Sequence, residues 1–346
     1  MLAFASNDYL GLAADAAVIA AAREGATRWG VGAGASHLVC GHQAPHALAE
    51  SRLASHVSPC DGAQALLMSS GYLANLSILT ALAGRGDEVF ADRLNHACLN
   101  DGVLLSRARL VRYPHADIEA LGRRLAASRA PRKLIAVDAV FSMDGDIAAL
   151  PELHALAEMY DAWLVVDDAH GFGVLGGGRG TLAHFGLSGE RIVYMGTLGK
   201  AAGVAGAFVA AHRAVIDTLV QNARPYIYTT AAPAMLACAV IAALDAIASA
   251  DDRRTHLAGL ISRFRLHAKR WPWQLGASTT PIQPLIVGTS AAAVALSQKL
   301  AARGIFVPAI RPPTVPAGSA RLRVSITAAH STADVDELAA ALEACA

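Results

Sequence analysis

Short apolar runs recur along the first two thirds of the chain: Ala65–Met68, Glu88–Ala91, Arg109–Arg112, Leu134–Asp138, Trp163–Asp167, Ile192–Met195 and Ala207–Ala210. They are too short for helices and are bounded by polar or glycine residues, the pattern of strands buried on both faces. Between most of them lie stretches with helical spacing, such as Gly71–Leu82, Ala116–Ala127 and Leu150–Tyr160. Strands alternating with helices predict a doubly wound α/β fold around a mainly parallel sheet of about seven strands. Two long helical segments follow, Ala232–Ile247 and Arg253–Lys269. Beyond them Gln283–Val287, Gly304–Pro308 and Leu322–Ile326 are candidate strands, with helices near Ala291–Ala302 and Ala333–Leu342. This second set predicts a smaller C-terminal αβ domain. The expected division is an N-terminal segment over 1–14, a large domain over 15–249 and the small domain over 250–346. Pro312, Pro313 and Pro316 mark a rigid loop within the last.

Composition narrows the class of function. The net charge is +1 with 16% charged residues and no basic stripe, which argues against nucleic acid as a partner. The 54% hydrophobic content is largely alanine. Its most apolar stretch, Ala231 to Ala250, is interrupted by Pro233 and Asp245 and reads as a buried helix, so no membrane is expected. The N-terminal residues have neither a basic region nor a long apolar stretch, so secretion is not expected. Five scattered cysteines without a CxxC pair fit a reducing, cytoplasmic location.

The candidate chemistry centres on one lysine. Of four lysines, Lys133 precedes a predicted strand, and Lys269 and Lys299 lie in helical surroundings. Only Lys200 sits in a loop of small residues, after Gly199 and before Ala201, Ala202 and Gly203. A desolvated amine titrates lower than a solvated one and becomes nucleophilic. Asp167 ends a strand-like run. Together the two supply what pyridoxal phosphate chemistry needs: an amine to hold the aldehyde as a Schiff base, and a carboxylate to keep the pyridine nitrogen protonated. In open α/β sheets ligands sit beyond the carboxyl ends of the strands. Asp167 and His170 fall at one such end, Asp138 and Ser142 follow another, and Thr197 lies in the approach to Lys200.

Other residues admit two readings. His96 follows a strand and precedes a helix, and both a structural cap and an imidazole stacked on a cofactor ring fit it. His170 fits a satisfied core histidine, or a group aimed at the cofactor's phenolic oxygen. Ser69, Ser70, Gly71 and Tyr72 join a strand to a helix whose free amides would hold a phosphate. The run Gly171 to Gly176 satisfies GxGxxG, but a polar Asp168-Ala-His170 precedes it and no helix can begin after it, so a dinucleotide site is not expected.

These residues resemble the α-oxoamine synthases, pyridoxal phosphate enzymes of the aspartate-aminotransferase fold (fold type I). The likeness runs through Ser6–Leu12, Gly30–Ser36, Ala91–His96, Val140–Gly145, Val166–Gly171, Gly199-Lys200, Arg311–Pro316 and Arg321–His330. The resemblance implies Lys200 as the Schiff base, Asp167 at the pyridine nitrogen, His96 as the stacking ring, and Ser142 and His170 at the phenolic oxygen. It implies Gly71, Tyr72 and Thr197 at the phosphate, with Thr230 reaching it from the neighbouring subunit of a homodimer with shared active sites. Asn7 and Arg323 match residues that bind the amino acid carboxylate, where a guanidinium fork suits better than an ammonium. The last two motifs point to the branch that condenses L-alanine with a pimeloyl thioester, carried by coenzyme A or acyl carrier protein, in biotin biosynthesis. Sibling reactions of glycine or serine with other thioesters, transamination, and a cofactor-binding remnant without turnover are the alternatives. Relative to the family pattern, the chain is expected to lack an N-terminal segment and the acyl contact it makes. Tyr72 replaces a frequent Phe, and Ala231 and Ala232 stand where a Ser is often found.

Overall fold

A computed structural model describes residues 1–346, which fall into two compact units. The larger comprises Leu12–Val140 and Ala148–Ala248; the smaller comprises Met1–Gly11, Phe141–Ile147 and Ser249–Ala346.

In the larger unit all seven apolar runs are strands. Across the sheet they lie in the order Gln64–Met68, Ala207–Ala211, Ile192–Thr197, Ala162–Asp167, Lys133–Asp138, Glu88–Asp92, Arg109–Tyr113. Ala207–Ala211 runs antiparallel to both neighbours and the other pairings are parallel. The two strands Ile192–Thr197 and Ala207–Ala211 are buried along their whole length, as a sheet covered on both faces requires, whereas the edge strand Arg109–Tyr113 is partly open. On one face Ile78, Leu79, Leu99 and Val103 interlock with Leu134, Val165, Val193 and Val209. Close approach of the helices Gly71–Leu82 and Ala97–Ser106 depends on Gly102, where an added Cβ would stand 2.8 Å from Leu79 Cδ1. Helices at Ala16–Trp29 and Ala44–Val57, not expected from the sequence, complete the unit's N-terminal part.

The smaller unit is built on an antiparallel sheet ordered Ala309–Ile310, Ala320–Ser325, Ile282–Gly288, Gln274–Leu275. Helices Asp251–Ala268, Ser290–Ala301 and Thr332–Glu343 accompany it. The domain division differs from the expected one in two places. Residues 1–11 are not a separate segment: Leu2–Ala3 pairs in parallel with Ile305–Phe306, Phe4 O accepts from Ser325 N at 2.9 Å, and the Phe4 ring stacks on His330 at 4.2 Å. Residues 141–147 also join this unit, because Ser278 Oγ and Thr280 Oγ1 donate to Gly145 O at 2.9 and 3.0 Å. The expected strand 304–308 shrinks to Ile305–Phe306: Gly304 has a φ of 81°, and Pro308 has no N–H to donate. No single helix is long and apolar enough to cross a membrane.

Candidate active site

Parallel strands bring their carboxyl ends to one edge of the sheet in the larger unit, and Asp138 and Asp167 end adjacent strands in direct register. Asp167 is 6% exposed. Its Oδ2 accepts from Asn75 Nδ2 at 2.6 Å and its Oδ1 from the Ala169 amide at 3.0 Å. Both donors are neutral, so the carboxylate's charge is left for a cationic partner to balance. Asn75 is fully buried and was not anticipated from the sequence; its only signal is an amide side chain in the first turns of a mostly apolar helix. Asp138 Oδ2 accepts from the His96 amide at 2.9 Å, and its Oδ1 has no hydrogen-bond partner. Burial, then the nearby Asp167, hold its carboxyl well above the usual range.

Lys200 leaves the strand Ile192–Thr197 through a turn in which Gly203 N donates to Lys200 O at 2.9 Å. Gly203 has a φ of 66°, and an added Cβ would lie 2.3 Å from the Ala13 amide nitrogen, so only glycine fits there. The turn sets Lys200 Nζ 2.9 Å from His170 Nε2. His170 is 8% exposed and reaches that position through the tight turn after Asp167. The buried Asp138 carboxyl is raised by the charge of Asp167 and lowered by that of Lys200.

Gly71 and Tyr72 open the helix Gly71–Leu82, whose cap Ser70 accepts from Leu73 N at 3.3 Å. A Cβ on Gly71 would stand 3.9 Å from Thr197 Oγ1, so the helix start and that hydroxyl are neighbours. The Tyr72 side chain turns outward to pair with Asp101. His96 plays the structural role the sequence allowed: its Nδ1 caps the helix Ala97–Ser106 by accepting from Cys98 N at 3.3 Å. The Cys98 sulfur lies 2.8 Å from the same atom, and burial pushes its thiol up to about 12, so the S–H is the donor. His96 itself is exposed. Thr230 is exposed in the coil after Arg224–Ile227 and no hydrogen bond ties it to these groups.

The dinucleotide motif is excluded by its surroundings. Gly176–Gly178 is a 3-10 turn, and Gly171 lies against the buried Asp168, whose carboxylate takes Thr181 N at 2.6 Å and Tyr194 OH at 2.8 Å. Burial pushes Asp168 up to about 7 against those donors.

Ser142, Asn7 and Arg323 belong to the smaller unit. Arg323 Nε donates to Ser142 O at 2.6 Å, and one terminal nitrogen reaches Ser325 Oγ at 2.8 Å. Both terminal nitrogens touch Asn7 Oδ1, at 3.2 and 3.3 Å. It is the Ser142 carbonyl, not its hydroxyl, that the guanidinium uses. Neighbouring Arg321 pairs with Asp144 at 2.5 Å and was likewise not singled out in advance.

The donor set fits pyridoxal phosphate. A buried carboxylate with neutral partners suits a protonated ring nitrogen, an amine suits the aldehyde, and free helix-end amides beside a threonine hydroxyl suit a phosphate.

Comparison with known proteins agrees. The aminotransferase class I and II family model matches residues 1–342. The 8-amino-7-oxononanoate synthase of Azoarcus sp. (strain BH72) is 60% identical over 343 residues, covering 99% of this chain and 87% of that protein. That of Nitrosospira multiformis is 60% identical over 342 residues, covering 99% and 86%. Among solved structures, Sphingomonas wittichii serine palmitoyltransferase superposes with a TM-score of 0.95 at 32% identity, covering 99% of this chain and 86% of that one. The 8-amino-7-oxononanoate synthase of Francisella tularensis gives 0.86 at 29% identity, covering 99% and 97%.

Proposed function

The chain belongs to the class I and II aminotransferase family, in its 8-amino-7-oxononanoate synthase group, and from that premise we propose that it condenses L-alanine with a pimeloyl thioester. The alanine α-carbon bonds to the thioester carbonyl carbon, the C–S bond breaks to release the thiol, and the alanine carboxylate leaves as carbon dioxide. The product is 8-amino-7-oxononanoate, a precursor in biotin biosynthesis. Pyridoxal phosphate, when bound, supplies an electron sink for the negative charge that develops at the α-carbon.

The chain's own groups do the rest. Lys200 would hold the aldehyde and serve as the base for the α-proton; His170 would hold the amine in place and, with Ser142, would serve the phenolic oxygen. Asp167, fixed by Asn75, would keep the ring nitrogen protonated. His96 would cover the ring. The Gly71 and Tyr72 amides and the Thr197 hydroxyl would bind the phosphate. Arg323, aligned by Asn7, takes the substrate carboxylate. Thr230 completes the phosphate site from a second copy of the chain. Exposed Val31, Val39 and Tyr228 support such a dimer: they are 75%, 77% and 71% exposed, and Ala231 N donates to Ala35 O at 3.0 Å, joining the two segments that carry them. The proposed location is the cytoplasm.

The observation that carries this reading is the Lys200–His170 pair, set by its turn on the same sheet edge as the buried Asp167. Product identification by mass spectrometry tests it, with L-alanine, glycine and L-serine each offered with pimeloyl, succinyl and palmitoyl thioesters. Product from alanine and the pimeloyl thioester alone is expected. Turnover only with another pair assigns a sibling reaction, and conversion of the cofactor to its amine form by alanine alone assigns an aminotransferase.

A further inference from the structure

We propose that Asp138 is a positioning residue of this site that works as a neutral carboxylic acid, holding His96 in place beside an ionised Asp167. The proposal rests on the cofactor-binding reading for what His96 covers, but not for where the proton sits.

The two carboxyls end adjacent strands in register, and both residues are buried. Two like charges so placed cannot both persist, and one group must keep its proton. The hydrogen bonds say which. Asp167 receives a donor on each oxygen, from Asn75 Nδ2 and the Ala169 amide, and both favour the ionised form. Asp138 receives one, from the His96 amide on Oδ2, while Oδ1 is buried without a partner. A carboxylate oxygen left so is costly, whereas an acid can carry its proton there.

The charged and titratable groups facing Asp138 come from every neighbouring element. Asp167 stands on the next strand, Asp92 ends the strand on the other side, Lys200 follows Ile192–Thr197, and His96 and Cys98 open the helix Ala97–Ser106. Two facing carboxyls, Asp167 and Asp92, against one amine favour retention of a proton, and burial pushes the Asp138 carboxyl in the same direction.

The backbone shows what this acid positions. Asn95 Oδ1 accepts from Asp138 N at 3.2 Å and Asn95 Nδ2 donates to Ala136 O at 2.7 Å, so the turn carrying His96 is stapled to the strand Lys133–Asp138. The bond from the His96 amide to Asp138 Oδ2 closes that staple at the residue whose ring is exposed.

Infrared difference spectroscopy on the holoenzyme at neutral pH decides the protonation state. Subtracting the spectrum of Asp138→Asn from that of the unmodified enzyme should leave the carbonyl stretch of a neutral buried carboxylic acid. A difference showing carboxylate bands instead would overturn the proposal. Equilibrium dissociation of pyridoxal phosphate tests the positioning role. Asp138→Asn keeps an acceptor for the His96 amide and should hold the cofactor within about threefold of the unmodified enzyme, whereas Asp138→Leu should weaken it about tenfold, the size of one lost hydrogen bond. Equal weakening in both variants would also overturn it. If the Leu variant fails to fold, the infrared result on the Asn variant still decides. Neither measurement needs turnover, so a failure here is separate from a failure of the proposed reaction.

Discussion

Lys200 and His170 meet through Nζ and Nε2 at 2.9 Å, with the imidazole buried. A charged lysine has only donors, so it pairs with a His170 that accepts at Nε2 and carries its proton on Nδ1. Lys200→Ala is expected to lower kcat by roughly 10⁴-fold or more, since it removes both tether and base. His170→Phe loses one hydrogen bond to a charged group, about 1.5–3 kcal/mol, and should lower kcat about ten- to hundredfold. Steady-state assays of the two variants, normalised to bound cofactor, check the order. Equal losses would show that His170 does more than aim the amine.

Asn75 makes a second prediction from inside the helix Gly71–Leu82. Its amide spans Asp167 Oδ2 at 2.6 Å and Cys98 Sγ at 3.1 Å. Asn75→Ala removes a charge-assisted hydrogen bond, about 1.5–3 kcal/mol, so cofactor dissociation should weaken about tenfold or more. Asn75→Asp should be worse, because it adds a carboxyl next to Asp167 where the fold already holds Asp138. Titration of pyridoxal phosphate binding by absorbance distinguishes them. An Asp variant that binds as well as the original would remove Asn75 from the account.

What the sequence disclosed and what it hid follow from the range of the interactions. The seven central strands were legible because burial on both faces forces continuous apolar runs, and the carboxyl ends of parallel strands collect ligand groups whatever the order of the strands. The order itself was hidden: that Ala207–Ala211 lies antiparallel between Gln64–Met68 and Ile192–Thr197 depends on pairings far apart in the chain. The two-residue strand Leu2–Ala3 exists only because Ile305–Phe306 offers its edge, and no local pattern in two residues can announce that. Lys200, Asp167 and His170 could be singled out as candidates because strand ends and glycine-rich turns are local features. Asn75 and the Asp138 protonation state were missed because each becomes meaningful only when three elements close around one carboxylate.

Arg323 leads to a prediction about substrate rather than cofactor. Its Nε is committed to Ser142 O and its terminal nitrogens are shared among Ser325 Oγ and Asn7 Oδ1. A lysine can neither span these partners nor present two parallel N–H groups to a carboxylate. Arg323→Lys should therefore raise KM for L-alanine about tenfold or more, leaving KM for the thioester nearly unchanged. A rise confined to the thioester would place the guanidinium on the acyl substrate.

Stability should depend on pH through a cluster in the larger unit. His42 and Glu50 lie 3.8 Å apart, yet they do not form an ion pair at neutral pH, because burial holds the imidazole down and the carboxyl up. Glu50 is pushed up to about 7 by burial, against a hydrogen bond from Leu67 N at 2.9 Å. Between its ordinary value of 4.5 and about 7 the folded protein holds a proton that the unfolded chain releases, so stability falls as pH rises through this window. Glu50→Gln keeps the acceptor for Leu67 and escapes the loss, so it should stabilise the fold by up to about 3 kcal/mol at pH 8 and by little at pH 4. His37 acts in the opposite sense. Its imidazole is stacked on Tyr226 at 5.0 Å and shares its Nδ1 with His42 at 3.0 Å, and burial lowers it to about 4. The unfolded chain therefore takes up a proton first as pH falls below 6.5, and stability is lost down to about 4. Urea denaturation of Glu50→Gln and of His37→Gln at both pH values separates the two. The first variant should gain stability on the alkaline side and the second on the acid side. A Glu50→Gln protein with no gain at pH 8 would show that the carboxyl ionises without cost.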